Sequence, residues 1–376
     1  MRTELCDRFG IIYPIFVFTP SEKVAAAVSR AGGLGVLGCV RFNDAEDLET
    51  VLQWMDENTD GKPYGVDIVM PAKIPTEGTA VDINKLIPQT HRDFVEKTLA
   101  DLGVPPLPDT QERFQGVLGW LHSVARSHVE VALRHPIKLI ANALGSPPKD
   151  VIDQVHGSGV PVAALAGSAK HAQRHAENGV DIVIAQGHEA GGHTGEIASM
   201  VLVPEVCDAM AAMAVQTPVL AAGGIGSGRQ VAAALALGAS GVWMGSAFLT
   251  AAEYDLGVRG ASGTSVIQEA MLAATSSDTV RRRIYTGKPA RLLKTKWTEA
   301  WDADDAPEPL PMPLQNILVS AAHQRMNEAT DPGAVAMPVG QIVGRMNEIR
   351  PVTEIIAELV SGFEDATRRI GGIAAE

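Results

Sequence analysis

The stretch from Thr217 to Ser246 constrains the fold most, because two strand ends there carry glycines in close succession. Thr217-Pro-Val-Leu-Ala-Ala222 is a short apolar run suited to a buried parallel strand, and Gly223-Gly-Ile-Gly-Ser-Gly228 is a glycine-rich turn. Arg229 to Leu237 reads as a helix stopped by Gly238, and Gly241 to Met244 as a second strand ending in Gly245-Ser246. With no Cβ atoms in the way, backbone N–H groups at neighbouring strand ends can converge on one phosphate. The loops after strands seven and eight of a (β/α)8 barrel commonly do so. Two ordinary tight βα turns would leave the same glycines. Gly224-Ile-Gly226 is followed three residues on by Arg229, so the G-x-G-x-x-G spacing of a dinucleotide fold fails.

The same strand–helix rhythm runs through much of the chain. Tyr13–Phe18, Leu34–Gly38, Tyr64–Met70, Ile137–Asn142, Pro161–Leu165 and Val180–Ala185 read as strands, with helices between most of them. Thr19-Pro-Ser-Glu22 has the spacing of a capping box, with Pro20 at the first helical position. Adding the two strands near 220 and 242 makes eight, the number that closes a barrel. An open doubly wound sheet is the alternative, and the missing nucleotide fingerprint argues against it.

Residues 71–136 interrupt the rhythm. Prolines 71, 75, 88 and the run Pro105-Pro-Leu-Pro108 break the chain, and an amphipathic helix is expected over Thr110–Ala132. His122 and His128 fall in that helix as packed or surface residues. The division expected is a barrel from 1–70 and 137–250, and a helical insertion, 71–136, over the active-site face. A mostly helical lid or substrate domain, 251–350, and a C-terminal helix, 351–376, packing back on the barrel complete it. The basic cluster Arg281-Arg-Arg283, Lys288, Arg291, Lys294 and Lys296 reads as a solvated face, with phosphate binding as the alternative.

A net charge of −13 argues against nucleic acid and anionic membrane as partners. Cys6, Cys39 and Cys207 match no metal or redox spacing, so a reducing cytoplasm is the simplest setting. The N-terminus lacks the apolar core of a signal peptide, and no uninterrupted run is long enough to span a bilayer.

The loop Gln186-Gly-His-Glu-Ala-Gly-Gly-His-Thr-Gly195 carries the chemistry. His188 and His193 are one residue too far apart for H-E-x-x-H, and Gly191-Gly192 disfavours a helix, so a zinc-protease site is rejected and no metal is expected. The glycines let backbone lie flat against a large ligand, with His193 projecting as a proton donor or acceptor. His188 reads as a loop cap.

Glu189-Ala-Gly-Gly-His-Thr-Gly195, Ala222-Gly-Gly-Ile225, Ala236-Leu-Gly-Ala239, Met244-Gly-Ser246 and Ala31-Gly-Gly-Leu-Gly35, taken in order, resemble the nitronate monooxygenase (2-nitropropane dioxygenase) family. That family includes flavin-dependent quinone reductases and enoyl-ACP reductase. The resemblance spans about residues 5–250 and returns at Tyr285–Arg291 and Val339-Gly-Gln341. It implies a TIM barrel binding FMN, with the phosphate cradle on Gly223, Gly224, Gly245 and Ser246. Flavin contacts fall on Phe18, Thr19, Asp67, Gln186, Gly191, Gly192 and Ala222, and the catalytic histidine on His193. The chain departs from the family pattern in running Val17-Phe-Thr-Pro20 straight into a helix, in Asp67 where Asn is usual, and in Leu165 where a lysine is frequent.

The resemblance thus implies an FMN-dependent oxidoreductase of small molecules. Oxidation of nitronates or nitroalkanes with O2 and a histidine base is expected. NAD(P)H-dependent reduction of enoyl thioesters or quinones is the alternative, and NAD(P)H the candidate electron donor. A flavin-free phosphate-binding isomerase or lyase is the rival of another class. A homodimer is the candidate assembly.

Overall fold

The computed structural model describes residues 1–70, 83–106, 122–260 and 263–374. Strands are numbered in chain order: β1 (Ile15–Thr19), β2 (Leu34–Gly38), β3 (Tyr64–Ile68), β4 (Ile140–Asn142), β5 (Val162–Ala166), β6 (Ile182–Gln186), β7 (Gly192–His193), β8 (Val219–Ala222), β9 (Gly241–Met244), β10 (Thr279–Arg282) and β11 (Ala290–Leu293). All but β7, β10 and β11 form a closed parallel barrel, in which β9 pairs back onto β1 through Phe16 and Trp243. The expected TIM barrel is therefore present.

Alternation along each strand divides the barrel into an inside and an outside. Phe16, Leu34, Val36, Leu139, Ala141, Ala163, Ile182, Ile184, Leu220, Ala222 and Trp243 fill the interior. The N-terminal residues close one end of the barrel. The helix Glu4–Phe9 drives Leu5, Cys6 and Phe9 into the interior cluster, and Phe9 meets Phe16 edge-on at 5.3 Å and 88°. Thr3 anchors the plug by donating its hydroxyl to the carbonyl of Ser240 at 2.6 Å.

The first crossover helix, Glu22–Arg30, starts two residues later than the capping-box spacing suggests. Ser21 is the cap and accepts from Val24 N, while Thr19 Oγ1 accepts from Ser21 N at 3.2 Å. Thr19 therefore sets the turn before the helix rather than the helix itself.

Of the helix expected over 110–132, the part before 122 lies outside the described residues. His122–Ala132 is helical and packs Ala125, Val129 and Ala132 against Leu48, Leu52 and Met55, on the outer layer of the barrel. Its His128 is buried, and burial lowers its pKa to about 4, so it is a neutral packed residue. A separate helix, Gln89–Asp101, packs Val95 and Leu99 with Trp297, Trp301 and Val319.

Beyond 251 the chain forms helices Val266–Leu272 and Leu314–Glu328, and β10 and β11 form an antiparallel hairpin in the basic segment. β11 also pairs with β7, so that Ala290 faces His193 and Arg291 faces Gly192. Strand β11 is buried throughout, and its partner lies about a hundred residues away, where local periodicity carries no signal. The final helix, Val352–Ala374, buries Val352, Ile355, Ile356 and Leu359 in the cluster that holds Val231 and Ala234 of the barrel helix Gly228–Ala236. No helix among the described residues is long and apolar enough to cross a membrane.

Because the plug fills the barrel end away from the glycine turns, Phe9→Ala is expected to lower unfolding free energy by about 3–5 kcal/mol, the usual cost of emptying a buried aromatic site. Denaturant titration checks this, and flavin affinity of the folded variant should stay at the parent value.

Candidate active site

The carboxyl ends of the barrel strands open into a cavity of about 660 Å³, within the range of roughly 300–1,000 Å³ typical of ligand sites. Its floor is a row across three neighbouring strands: Gln186 pairs in register with Ala222, and Ala222 with Trp243. Phe18 stands beside that row. Gly223, Gly224, Gly245 and Ser246 line one side, and Gly191 and Gly192 another. Nine of the positions expected to meet a cofactor thus surround one space: Phe18, Gln186, Gly191, Gly192, Ala222, Gly223, Gly224, Gly245 and Ser246.

Local chemistry explains the shape of the rim. Gly223 and Gly224 have φ of 94° and 69°, left-handed values that a side chain rarely adopts. Gln230, one turn into the following helix, clamps this turn. Its amide donates to Gly224 O at 2.5 Å and its carbonyl accepts from Gly226 N at 3.0 Å. At Gly245 a Cβ would find nothing closer than Phe18 O at 3.6 Å. A side chain there would occupy the cavity rather than clash with the protein, so the bare backbone is a cradle open to a ligand. Ser246 Oγ accepts from Gly340 N at 2.9 Å. Gly340 also lies so close to Gly191 that a Cβ on Gly191 would come within 2.8 Å of Gly340 N. Gln230 and Gly340 are parts of the rim that the candidate residues omit. The Gln230 signal, a side chain able to reach back to the turn, needed the turn's conformation to be recognisable.

Three expected residues are not among those lining the cavity. Thr19 is buried and occupied with the turn at Ser21. Asp67 shares the inward face of β3 with Gly65, in register with Gly38 and Ala141. Burial alone pushes its carboxyl up to about 8, so it is protonated at neutral pH. His193 follows the cavity-lining Gly192, and its Nε2 lies 2.5 Å from Thr286 Oγ1. Burial, with a smaller contribution from the Lys288 charge, lowers His193 to about 4, which keeps the imidazole neutral across the physiological range.

The basic cluster turns out to be a brace for the 186–195 loop together with surface ion pairs. Arg291 donates through Nε and Nη2 to the carbonyl of His188 at 3.2 and 3.1 Å, and Arg281 donates to Thr194 O at 2.9 Å. Arg291 Nη2 also lies 3.1 Å from His188 Nε2, so that nitrogen acts as an acceptor and His188 is a structural partner of the loop. Arg282 pairs with Asp302, Lys294 with Glu299 and Lys296 with Asp331 at the surface. The far wall of the cavity comes from Tyr285 and from Asn316, Ser320, His323 and Asn327 of helix Leu314–Glu328. Their spacing of four, three and four residues is a readable stripe, but its polarity suggests solvent rather than a binding wall.

Gly245→Leu is expected to keep the parent melting temperature and weaken flavin binding at least about tenfold, read by retention of the yellow chromophore on gel filtration. For Asp67, the folded pKa lies above the unfolded value. Its contribution to stability is full below about pH 4 and is lost as the pH rises through about 8. Asp67→Asn should therefore flatten the decline of melting temperature between these limits; a variant with the parent's slope would contradict the assignment.

With the geometry in place, comparison with known proteins gives a consistent result. The family model for nitronate monooxygenase matches residues 3–362. A Mycobacterium tuberculosis protein, Rv1533, which carries a provisional monooxygenase name, is 48% identical, covering 99% of both chains. A Staphylococcus aureus protein provisionally named nitronate monooxygenase is 25% identical, over 96% of this chain and 97% of its own. Among solved structures, nitroalkane oxidase from Streptomyces ansochromogenes matches with a TM-score of 0.78 and 26% identity, covering 97% of this chain and 99% of its own. FabK from Thermotoga maritima matches with 0.74 and 28%, over 99% of each chain. The chain belongs to the nitronate monooxygenase family and is an oxidoreductase with a flavin cofactor.

Proposed function

We propose that the cavity binds FMN and that the enzyme oxidises nitronates and nitroalkanes with O2, His193 serving as the base. The observation that carries this is the convergence of two glycine-bearing strand ends and the Gly191–Gly192 loop on one cavity. The phosphate falls to Gly223, Gly224 and Gly245, where backbone approaches without Cβ atoms, and to Ser246 beside them. The ring falls along Phe18, Gln186, Gly191, Gly192 and Ala222. Thr19 acts behind them by holding the turn. Asp67, protonated, offers an O–H donor at the position where relatives by resemblance carry the N–H donor of Asn. Bound flavin supplies the electron-accepting ring, with oxygen as final acceptor.

The protein's own part is proton handling and positioning. Neutral His193 accepts the α-proton of a nitroalkane, leaving the nitronate, and Thr286 orients the imidazole through Nε2. The low pKa makes His193 a weak base that is always ready: above about 4 it needs no deprotonation before each turnover. The apolar floor around Trp243 excludes water from the reacting carbon.

His193→Ala is expected to retain flavin and lower nitroalkane turnover by about 10²–10⁴, the usual contribution of a positioned base, while preformed nitronates lose less. In the parent, kcat/KM for nitroalkanes should lose the His193 contribution only as the pH falls towards about 4. Equal losses for nitroalkane and nitronate would remove the base role. A second reading, NAD(P)H-dependent reduction of an enoyl thioester or quinone, is favoured by the match to FabK. Anaerobic bleaching of the flavin by NADH or NADPH, with colour restored by an enoyl-CoA and not by a nitronate, would select it.

A further inference from the structure

Helix Leu314–Glu328 is amphipathic in an unusual sense. Leu318, Val319, Ala322 and Met326 pack against Trp297 and Trp301, as an apolar face should. The opposite stripe, Asn316, Ser320, His323 and Asn327, faces the cavity instead of open water. Buried polar groups normally have partners, because leaving one unpaired costs about 1–3 kcal/mol. Asn316 is only 9% exposed, and further along the stripe Asn327 Oδ1 is buried with no hydrogen-bond partner among the described residues.

His323 is held just as firmly and is just as short of partners. Its ring stacks on Tyr285 at 4.9 Å and 15°, and meets Trp297 edge-on at 5.9 Å and 84°. Nε2 is buried with no hydrogen-bond partner among the described residues, and the residue lines the cavity. Burial lowers its pKa to about 3, so the ring enters any contact uncharged, as donor or acceptor according to tautomer. The stripe carries no cation. Among the described residues lining the cavity, Arg41 alone bears a fixed positive charge, and Glu22 pairs it at 2.5 Å. Glu328, at the end of the same helix, adds a negative charge to the lining.

We propose that the Asn316–His323 stripe is a substrate-recognition wall for an uncharged, hydroxyl-bearing arm of the substrate. A hydroxyl can donate to the amide oxygen of Asn316 or accept from its N–H groups, and can do the same with the neutral imidazole. A methyl group can do neither. A carboxylate meets no cation on the stripe itself and shares the cavity with Glu328. His323 and Asn316 act by positioning and selection, and this inference rests on the cavity being the site of the flavin reaction.

The test uses the flavin-loaded full chain and three nitronates that differ only in the distal arm: those of 1-nitrobutane (methyl), 3-nitro-1-propanol (hydroxyl) and 3-nitropropionate (carboxylate). The expected order of kcat/KM is hydroxyl first, by at least about tenfold over either other, with the difference residing in KM. In His323→Phe, which preserves the stack on Tyr285, and in Asn316→Leu the hydroxyl-to-methyl ratio should fall to about one. His323→Asn should recover part of it. A parent enzyme that prefers the methyl or carboxylate arm, or a ratio that both variants leave intact, overturns the proposal.

Equilibrium binding separates recognition by the wall from the reaction itself. Isothermal titration compares 4-hydroxybutanoate with pentanoate, inert carboxylates of equal heavy-atom count. A hydroxyl preference of about tenfold that disappears in His323→Phe sustains the wall even if no nitronate is consumed, in which case the nitronate reading alone fails. Absence of the preference, or its persistence in the variant, overturns the wall whatever the turnover.

Discussion

The backbone contact between Gly191 and Gly340 is the constraint on which the cavity depends. The two chains approach so closely that a Cβ on either would meet the other's main chain within about 3 Å. Gln341 N donates to Glu189 O at 2.9 Å, and Gly340 N donates to Ser246 Oγ. Three segments far apart in sequence are therefore stitched by main-chain groups: the loop after β6, the rim after β9 and the strap before the final helix. Backbone contacts of this kind allow no gradual adjustment, because there is no side chain to rotate out of the way. The cavity wall is thus tied through main-chain groups to the barrel that carries it.

That tie matters because the loop itself has little to hold it. Its glycines contribute flat backbone but no packing, and flexible backbone loses the most entropy on ordering. The structure offsets this from outside, through Arg291 on the His188 carbonyl, Arg281 on Thr194, and the short pairing of β7 with β11. A charged cluster that looks like a ligand site from its composition thus works mainly as scaffolding. Removal of Arg291 would leave a carbonyl orphaned where the loop turns over the cavity.

Burial sets the electrostatic character of the site. His193, His323 and Asp67 are all held in their uncharged forms, and desolvation is the leading cause in each case. Uncharged imidazoles in and beside the cavity suit a chemistry in which charge appears on the reacting molecule. Neutral imidazoles can then respond to that charge without first competing with it. The two histidines are linked through consecutive residues, since Thr286 holds His193 while Tyr285 stacks on His323. The positions of both imidazoles therefore depend on one short piece of chain.

Much of this could be read from the amino-acid order. Glycines at strand ends and the strand–helix rhythm pointed to the barrel and its glycine rim, because both are local: a turn with left-handed φ needs glycine, and a buried parallel strand needs an apolar run. The rest of the nine cavity positions came from the ordered motifs that resemble a known family. The N-terminal plug, the β10–β11 hairpin and the cap at Ser21 were decided elsewhere. Phe9 had to find Phe16, β11 had to find β7, and the turn at Thr19 had to compete with the helix for its hydroxyl. His193 shows the division most clearly. Its glycine-rich setting is visible in sequence, whereas its contact with Thr286 and its loss of basicity come from packing. The polar stripe on helix Leu314–Glu328 is plain in the sequence as a pattern. Only the tertiary structure decided that it faces an enclosed cavity and not water, because a helix's periodicity specifies which residues share a face but not what lies opposite.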